Sequence, residues 1–249
     1  IAPLGLRIDR ASPAVDARLA DGSRLHAVIP PASVDGPIVA VRRFSEAVTD
    51  LEALVERRGI SSGGAELLRT AVVDRLNLLI AGSTGAGKTT LLNVLSKEIN
   101  PSERTVTVED AAELRLEGHV VRLEARPPNP EGAGEITVRT LLRHALRLRP
   151  DRIVVGEVRG PEALDMIQAM STGHDGSMST IHANGPEEAL WRLESLAATA
   201  DSGASIDTLR RQIRSAVDRV VFVTRRPEAR VVASVCEVGS NGVEEVYSC

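Results

Sequence analysis

Gly82-Ser83-Thr84-Gly85-Ala86-Gly87-Lys88-Thr89 decides how the rest of the chain is read. It fits the pattern G-x-x-x-x-G-K-[ST], in which small residues let the backbone wrap a polyphosphate and aim successive N–H groups at it. Lys88 brings a cation for β- and γ-phosphates, and Thr89 a hydroxyl for Mg²⁺. The flanks agree with this. Leu76 to Ala81 is an apolar run of strand length, and Thr90 opens a helical pattern whose N-terminus favours phosphate charge. A glycine turn that merely happens to end in Lys-Thr does not account for a strand before it and a helix after it. Gly82, Ser83, Thr84, Gly85, Ala86, Gly87, Lys88, Thr89 and Thr90 are therefore the candidate binding stretch for ATP or GTP.

Outward from this loop, apolar runs and helical patterns alternate. Strands are expected at 76–81, 105–108, 120–124, 153–155 and 179–182, with closing strands at 219–224 and 230–238. Helices are expected at 88–98, 138–148, 161–170, 186–198 and 206–217, and helical spacing also runs over 49–55 and 65–73. Such alternation predicts an α/β fold, a parallel sheet with helices on both faces. The block ahead of it is thinner and β-rich. Strands are expected at 5–9 and 37–44, and a hairpin joins 16–20 to 24–29 across Asp21-Gly22-Ser23. The expected division is a partial N-terminal domain over 1–44, a linker over 45–64 and a nucleotide-binding domain over 65–249. The first residue, Ile1, is not a natural start, so further sequence is expected upstream.

Composition narrows the class. With 43% hydrophobic but only 2% aromatic residues, the core must be Leu, Val, Ile and Ala. A formal net charge of -4 argues against a general nucleic-acid binder. Cys236 and Cys249 lack metal or redox spacing, which points to a reduced, cytosolic compartment. No apolar run reaches the length of a membrane span.

A nucleotide site of this kind needs acidic groups on neighbouring strands, at their carboxyl ends, to hold Mg²⁺ or its waters and to orient an attacking water. Two strands end that way, Ile153-Val154-Val155-Gly156-Glu157 and Thr105-Val106-Thr107-Val108-Glu109-Asp110. Either alone is weak, because strands often end in acids that only solvate the chain. Together, after the glycine loop, they make Thr89, Glu109, Asp110 and Glu157 the candidate Mg²⁺ environment, with Glu157 better suited to activating water than to ligating metal directly. His182 ends the next strand and can donate a hydrogen bond to a γ-phosphate, although a histidine so placed is more often structural. Arg143, Arg147, Arg149, Arg152 and Arg159 flank the Glu157 strand and read either as surface salt bridges or as contacts to phosphates or a neighbouring subunit.

The loop, Val108-Glu109-Asp110-Ala111-Ala112-Glu113-Leu114, Arg149 through Gly160, and Gly173-His174-Asp175-Gly176-Ser177 through Asn184 together resemble the Walker A, Asp box, Walker B and His box of the type II/IV secretion ATPases. The tight-adherence (Flp) pilus branch is similar also at Val121 through Asn129 and at Asp21-Gly22-Ser23-Arg24 with Pro30-Pro31. The resemblance implies a RecA-like P-loop domain after a truncated small N-terminal domain, a ring of six copies, and hydrolysis of ATP to ADP. It implies a cytoplasmic motor at the inner face of the cell membrane, acting through a membrane platform protein on pilin or secreted substrate, with no nucleic acid. It also implies that Glu157 positions water, that Glu109 and Asp110 order the Mg²⁺ environment, that His182 senses the γ-phosphate, and that Arg24, Arg42 and Arg43 reach the nucleotide from the N-terminal domain. Three other readings stand beside it: a conjugal-transfer or type IV secretion ATPase, a nucleotide-gated docking ring with little turnover, and a nucleic-acid translocase of the same fold, which the acidic balance and scarce aromatics disfavour.

Overall fold

The computed structural model describes residues 6–43, 48–129, 132–227 and 229–249. The chain forms two compact units, one of Ile1–Ala47 with Pro128–Ala133 and one of Val48–Pro127 with Gly134–Cys249. The smaller unit holds a three-stranded antiparallel sheet of β1 (Ala14–Arg18), β2 (Arg24–Val28) and β3 (Ile38–Arg42). The expected β1–β2 hairpin is present, turning through Asp21, whose carboxylate accepts from the Ser23 N–H at 2.9 Å. Of the strand expected at 5–9, residues 6–9 are not a strand. Gly5, Phe44 and residues 45–47 of the expected linker lie outside the described residues.

The larger unit opens with α1 (Leu51–Glu56) and α2 (Ser62–Val73). Each begins where a side chain can satisfy a free N–H: Asp50 accepts from Ala53 N, and Ser61 from Gly64 N. Both helices lie wholly or partly in the segment expected as a linker, and Leu51 and Ile60 there are buried, at 0% and 3% exposure. The alternating elements follow: β4 (Leu78–Gly82), α3 (Lys88–Ser96), β5 (Thr105–Glu109), β6 (Val120–Glu124), α4 (Val138–Ala145), β7 (Arg152–Val158), α5 (Glu162–Met170), β8 (Met178–His182), α6 (Pro186–Ala198), α7 (Ile206–Ala216), β9 (Arg219–Arg225), β10 (Arg230–Gly239) and β11 (Gly242–Ser248). They form one eight-stranded sheet in the order β11-β10-β9-β4-β8-β7-β5-β6. The strands from β9 through β6 run parallel, while β10 and β11 are antiparallel additions at one edge. The sequence does not predict β11, although Ser240-Asn241-Gly242 is a fair hairpin turn.

The period-two alternation of strand side chains builds a core on each face of the sheet. Leu79 and Ala81 of β4 pack with α4, α5, α6 and α7. Leu78 and Ile80, between them, pack with α1, α2 and α3. With helices on both faces, the central strand β4 is apolar throughout and every one of its residues is buried. The loops at the carboxyl ends of β4, β5, β7 and β8 share one edge of this sheet, the edge where ligands enter open α/β folds.

Candidate functional site

The glycine loop leaves the sheet at the end of β4, between β8 and β9. Gly82 is forced by packing: a Cβ there would stand 2.4 Å from the Val223 carbonyl oxygen on β9. Gly85 and Gly87 have φ of +73° and +108°, a backbone that L side chains rarely adopt. Gly87 leads directly into α3, and no side chain caps that helix. Its first N–H groups therefore remain for an anion. Thr89 is half-buried and Thr90 exposed on the first turn.

Lys88 is 9% exposed, and its ammonium bonds back onto the loop, 2.9 Å from the Gly82 carbonyl and 3.1 Å from that of Ser83. Burial lowers its pKa, while the nearby Glu157 carboxylate works against that. Glu157 Oε1 lies 3.9 Å from Lys88 Nζ.

A bulge sets the aim of Glu157. Ile153 and Val155 face the core of α4–α7, and simple alternation would send Glu157 to the same side. The register of β7 against β8 shifts between Val155 and Val158, and Val158 takes that side instead. Glu157 is thereby released toward Lys88. Its other oxygen is held by Arg159, whose Nε donates at 2.8 Å and whose Nη2 also donates. Arg159 Nη1 lies 3.7 Å from Asp110, which is half exposed. Thr180 on β8 donates to the Gly156 carbonyl at 2.7 Å, and the buried Glu162 carboxylate accepts from the N–H groups of Arg159 and Gly160, both at 2.7 Å.

Glu109, 3% exposed, sits against this strand: a Cβ on Gly156 would stand 2.9 Å from its Cγ. Its Oε1 accepts from Glu113 N at 2.8 Å and from Leu114 N at 2.9 Å, while Oε2 is buried without a partner. Burial lifts its pKa to about 7, against the pull of those two N–H groups. His182 ends β8 with Nδ1 3.5 Å from Thr84 Oγ1 on the loop.

Lys88, Glu109, Asp110, Glu157 and His182 thus meet at one edge of the sheet, carried there by the glycine loop and the ends of β5, β7 and β8. Arg24 and Arg42 stand in the other unit, directly opposite one another in the β2–β3 register. Among the described residues no three His, Cys, Asp or Glu side chains could hold a metal by themselves. That donor set fits Mg²⁺, which takes one or two protein ligands and completes its octahedron with water and phosphate. The orphaned Glu109 Oε2 is a further acceptor for such a shell. The arginine run separates into distinct roles. Arg152 is buried against Glu103, Arg143 pairs with Asp165, and Arg159 alone of these is shown reaching the site carboxylates. The sequence does not single out Thr180, Glu162 or Arg230. Arg230 donates to the Gly85 carbonyl from 145 positions away, a contact that no local pattern announces.

A family model described as type II/IV secretion system protein matches residues 4–244. A putative conjugal transfer protein of Mycobacterium tuberculosis is 46% identical over 89% of this chain and 64% of its own length. The type IV secretion system protein PtlH of Bordetella pertussis is 38% identical over 86% of this chain and 70% of its own. The chain therefore spans about two thirds of the length of these relatives. Among solved structures, the VirB11 ATPase of the Brucella suis type IV secretion system is similar at a TM-score of 0.63 and 31% identity, covering 94% of this chain and 76% of that one. The pilus retraction motor PilT, at 20% identity and a TM-score of 0.64 over 93% of this chain and 61% of that one, shares the fold. These likenesses give the larger unit a RecA-like P-loop architecture. The chain belongs to the type II/IV secretion system protein family.

Proposed function

We propose that this chain binds Mg-ATP and hydrolyses it as the motor of a type IV secretion or tight-adherence pilus system. The observation that supports this most is the approach of Glu157 to Lys88 at 3.9 Å beside an uncapped helix N-terminus. The α3 N–H groups and Lys88 bind the β- and γ-phosphates, the ammonium exchanging loop carbonyls for phosphate oxygens. Thr89 would hold Mg²⁺, with Glu157, Glu109 and Asp110 ordering its waters, and the ion would supply neutralising charge there. Glu157 orients the attacking water as the bond to the ADP oxygen breaks. His182, tied to the loop through Thr84, reads whether a γ-phosphate is present.

The smaller unit contributes cations in this account. Arg18, Arg24 and Arg42 occupy one register row across β1, β2 and β3, so their side chains share a face. The family resemblance, and not the register row, is what gives Arg24 and Arg42 the role of further cations for the triphosphate, in a ring of six copies. In this account the motor acts through a membrane platform partner from the cytoplasmic side; among the described residues no helix is long and apolar enough to cross a membrane. Relatives named for conjugal transfer and type IV secretion support the secretion reading, and the resemblance at Val121 through Asn129 supports the pilus reading.

Glu157→Gln in the full-length, ring-forming protein tests the chemistry. ATP affinity should stay near the parent value while turnover falls roughly a hundredfold or more, the scale of a positioned base. Parent-like turnover would pass the role to Glu109. A parent ring that binds ATP without turnover would support the docking-ring reading instead.

A further inference from the structure

Arg230 opens β10, directly after the turn from β9, and it approaches the phosphate-binding loop from outside the loop's own motif. Its Nε donates to the Gly85 carbonyl at 2.9 Å. Its Cδ lies 3.3 Å from where a Cβ on Gly87 would stand, so its stem covers the second glycine of positive φ. The backbone that carries this side chain is itself fixed. Arg230 pairs with Arg225 in the β9–β10 ladder. Its carbonyl oxygen would touch a Cβ on Gly59 at 3.1 Å, and Val232 N donates to the Gly59 carbonyl at 2.8 Å. Ser61 N closes the same corner by donating to the Tyr247 hydroxyl on β11 at 3.1 Å.

The loop needs such a support. Gly85 and Gly87 carry no side chains to lock them, and glycine loses more conformational freedom than any other residue when it is ordered. A ligand that must order its own loop loses that free energy from its affinity. The Gly85 carbonyl and the Ala86 N–H belong to one planar trans peptide and point in opposite directions. Holding the oxygen outward therefore turns the Ala86 N–H into the loop, where it now meets the Ser83 carbonyl at 3.2 Å.

We propose that Arg230 is a positioning residue for the phosphate-binding loop, fixing the Gly85–Ala86 peptide from the rigid end of β10 so that the loop is ordered before a nucleotide polyphosphate arrives. This rests on the reading of the loop as a nucleotide site. The guanidinium acts on the loop and not on the reacting atoms, so the effect falls on binding and not on the chemical step.

The test is ADP titration calorimetry together with steady-state ATP turnover, using Arg230→Met, Arg230→Lys and Lys88→Ala in the full-length protein. Methionine keeps an apolar stem over Gly87 but has no donor, whereas lysine keeps a charged donor. Arg230→Met should weaken ADP affinity and raise KM about tenfold, the effect of one charge-assisted hydrogen bond at an exposed site, with kcat within about twofold of the parent. Arg230→Lys should stay within about threefold of the parent in both. Parental ADP affinity in Arg230→Met, with affinity lost in Lys88→Ala, would overturn the inference. A fall in kcat at unchanged KM would overturn it too, by assigning Arg230 to the chemistry. Parental affinity in both Arg230→Met and Lys88→Ala would overturn the nucleotide-site reading itself, and this inference with it.

Discussion

Replacing Glu109 by Gln removes a charge that the fold keeps at a cost. The side chain is 3% exposed, Oε2 has no partner, and burial lifts the pKa to about 7 from an ordinary value of 4.5. A raised carboxyl binds its proton more tightly in the folded state than in the unfolded one. Below about pH 4.5 both states are protonated and the residue costs nothing. Between about pH 4.5 and 7 the unfolded chain ionises first and stability falls, and above about 7 the full cost is present. A gap of about 2.5 units, at about 1.4 kcal/mol each, gives a full cost of about 3.5 kcal/mol. Between pH 5 and pH 8 the Gln variant should therefore gain about 2.5 kcal/mol relative to the parent. Its amide also places a donor where Oε2 stood, but that penalty is the same at both pH values and cancels in the comparison. Urea unfolding without nucleotide and with a chelator measures this, read by far-UV circular dichroism and by Trp191, the sole tryptophan, which lies on α6 of the same unit. A difference between variant and parent that stays constant within about 0.5 kcal/mol from pH 5 to pH 8 would show that Glu109 is not held in the fold as described.

Gly82→Ala should destabilise the larger unit by about 3 kcal/mol in denaturant unfolding, because its Cβ would stand 2.4 Å from a backbone oxygen that cannot swing away. Arg152→Met should cost about 2–3 kcal/mol in the same assay, since it leaves Glu103 with only the half-exposed Arg75 and takes one of its donors from the Val72 carbonyl. Arg42→Ala in the ring-forming protein should lower turnover by up to roughly a thousandfold while leaving ADP affinity nearly intact, with ring integrity checked by light scattering. Parental turnover in that variant would remove the smaller unit from the catalytic account.

What could be read from the sequence was what is contiguous. The glycine loop, its strand and its helix are neighbours in the chain, and their order alone implies the parallel sheet and the carboxyl-edge site. Glu109, Asp110 and Glu157 were legible as strand-end acids for the same reason. The aim of Glu157 was not, because it depends on a bulge set by the pairing of β7 with β8. The burial of Leu51 and Ile60 was hidden in a stretch punctuated by Gly59, Gly63 and Gly64, which reads as a linker until the core that covers it is in view. Gly64 has its own reason to be glycine: a Cβ there would meet the Tyr247 ring at 2.6 Å, a contact between residues far apart in the chain. Arg159 was one of several similar arginines in the sequence, and only packing sends Arg152 into the core, Arg143 to Asp165 and Arg159 to the site.

The most direct test of the central claim is steady-state phosphate release from ATP by the full-length protein, with and without magnesium, compared with Lys88→Ala. The account predicts magnesium-dependent release in the parent and background release in the variant, whose loop has lost its buried ammonium. Equal release by the two proteins, or none above background in the parent, would contradict it.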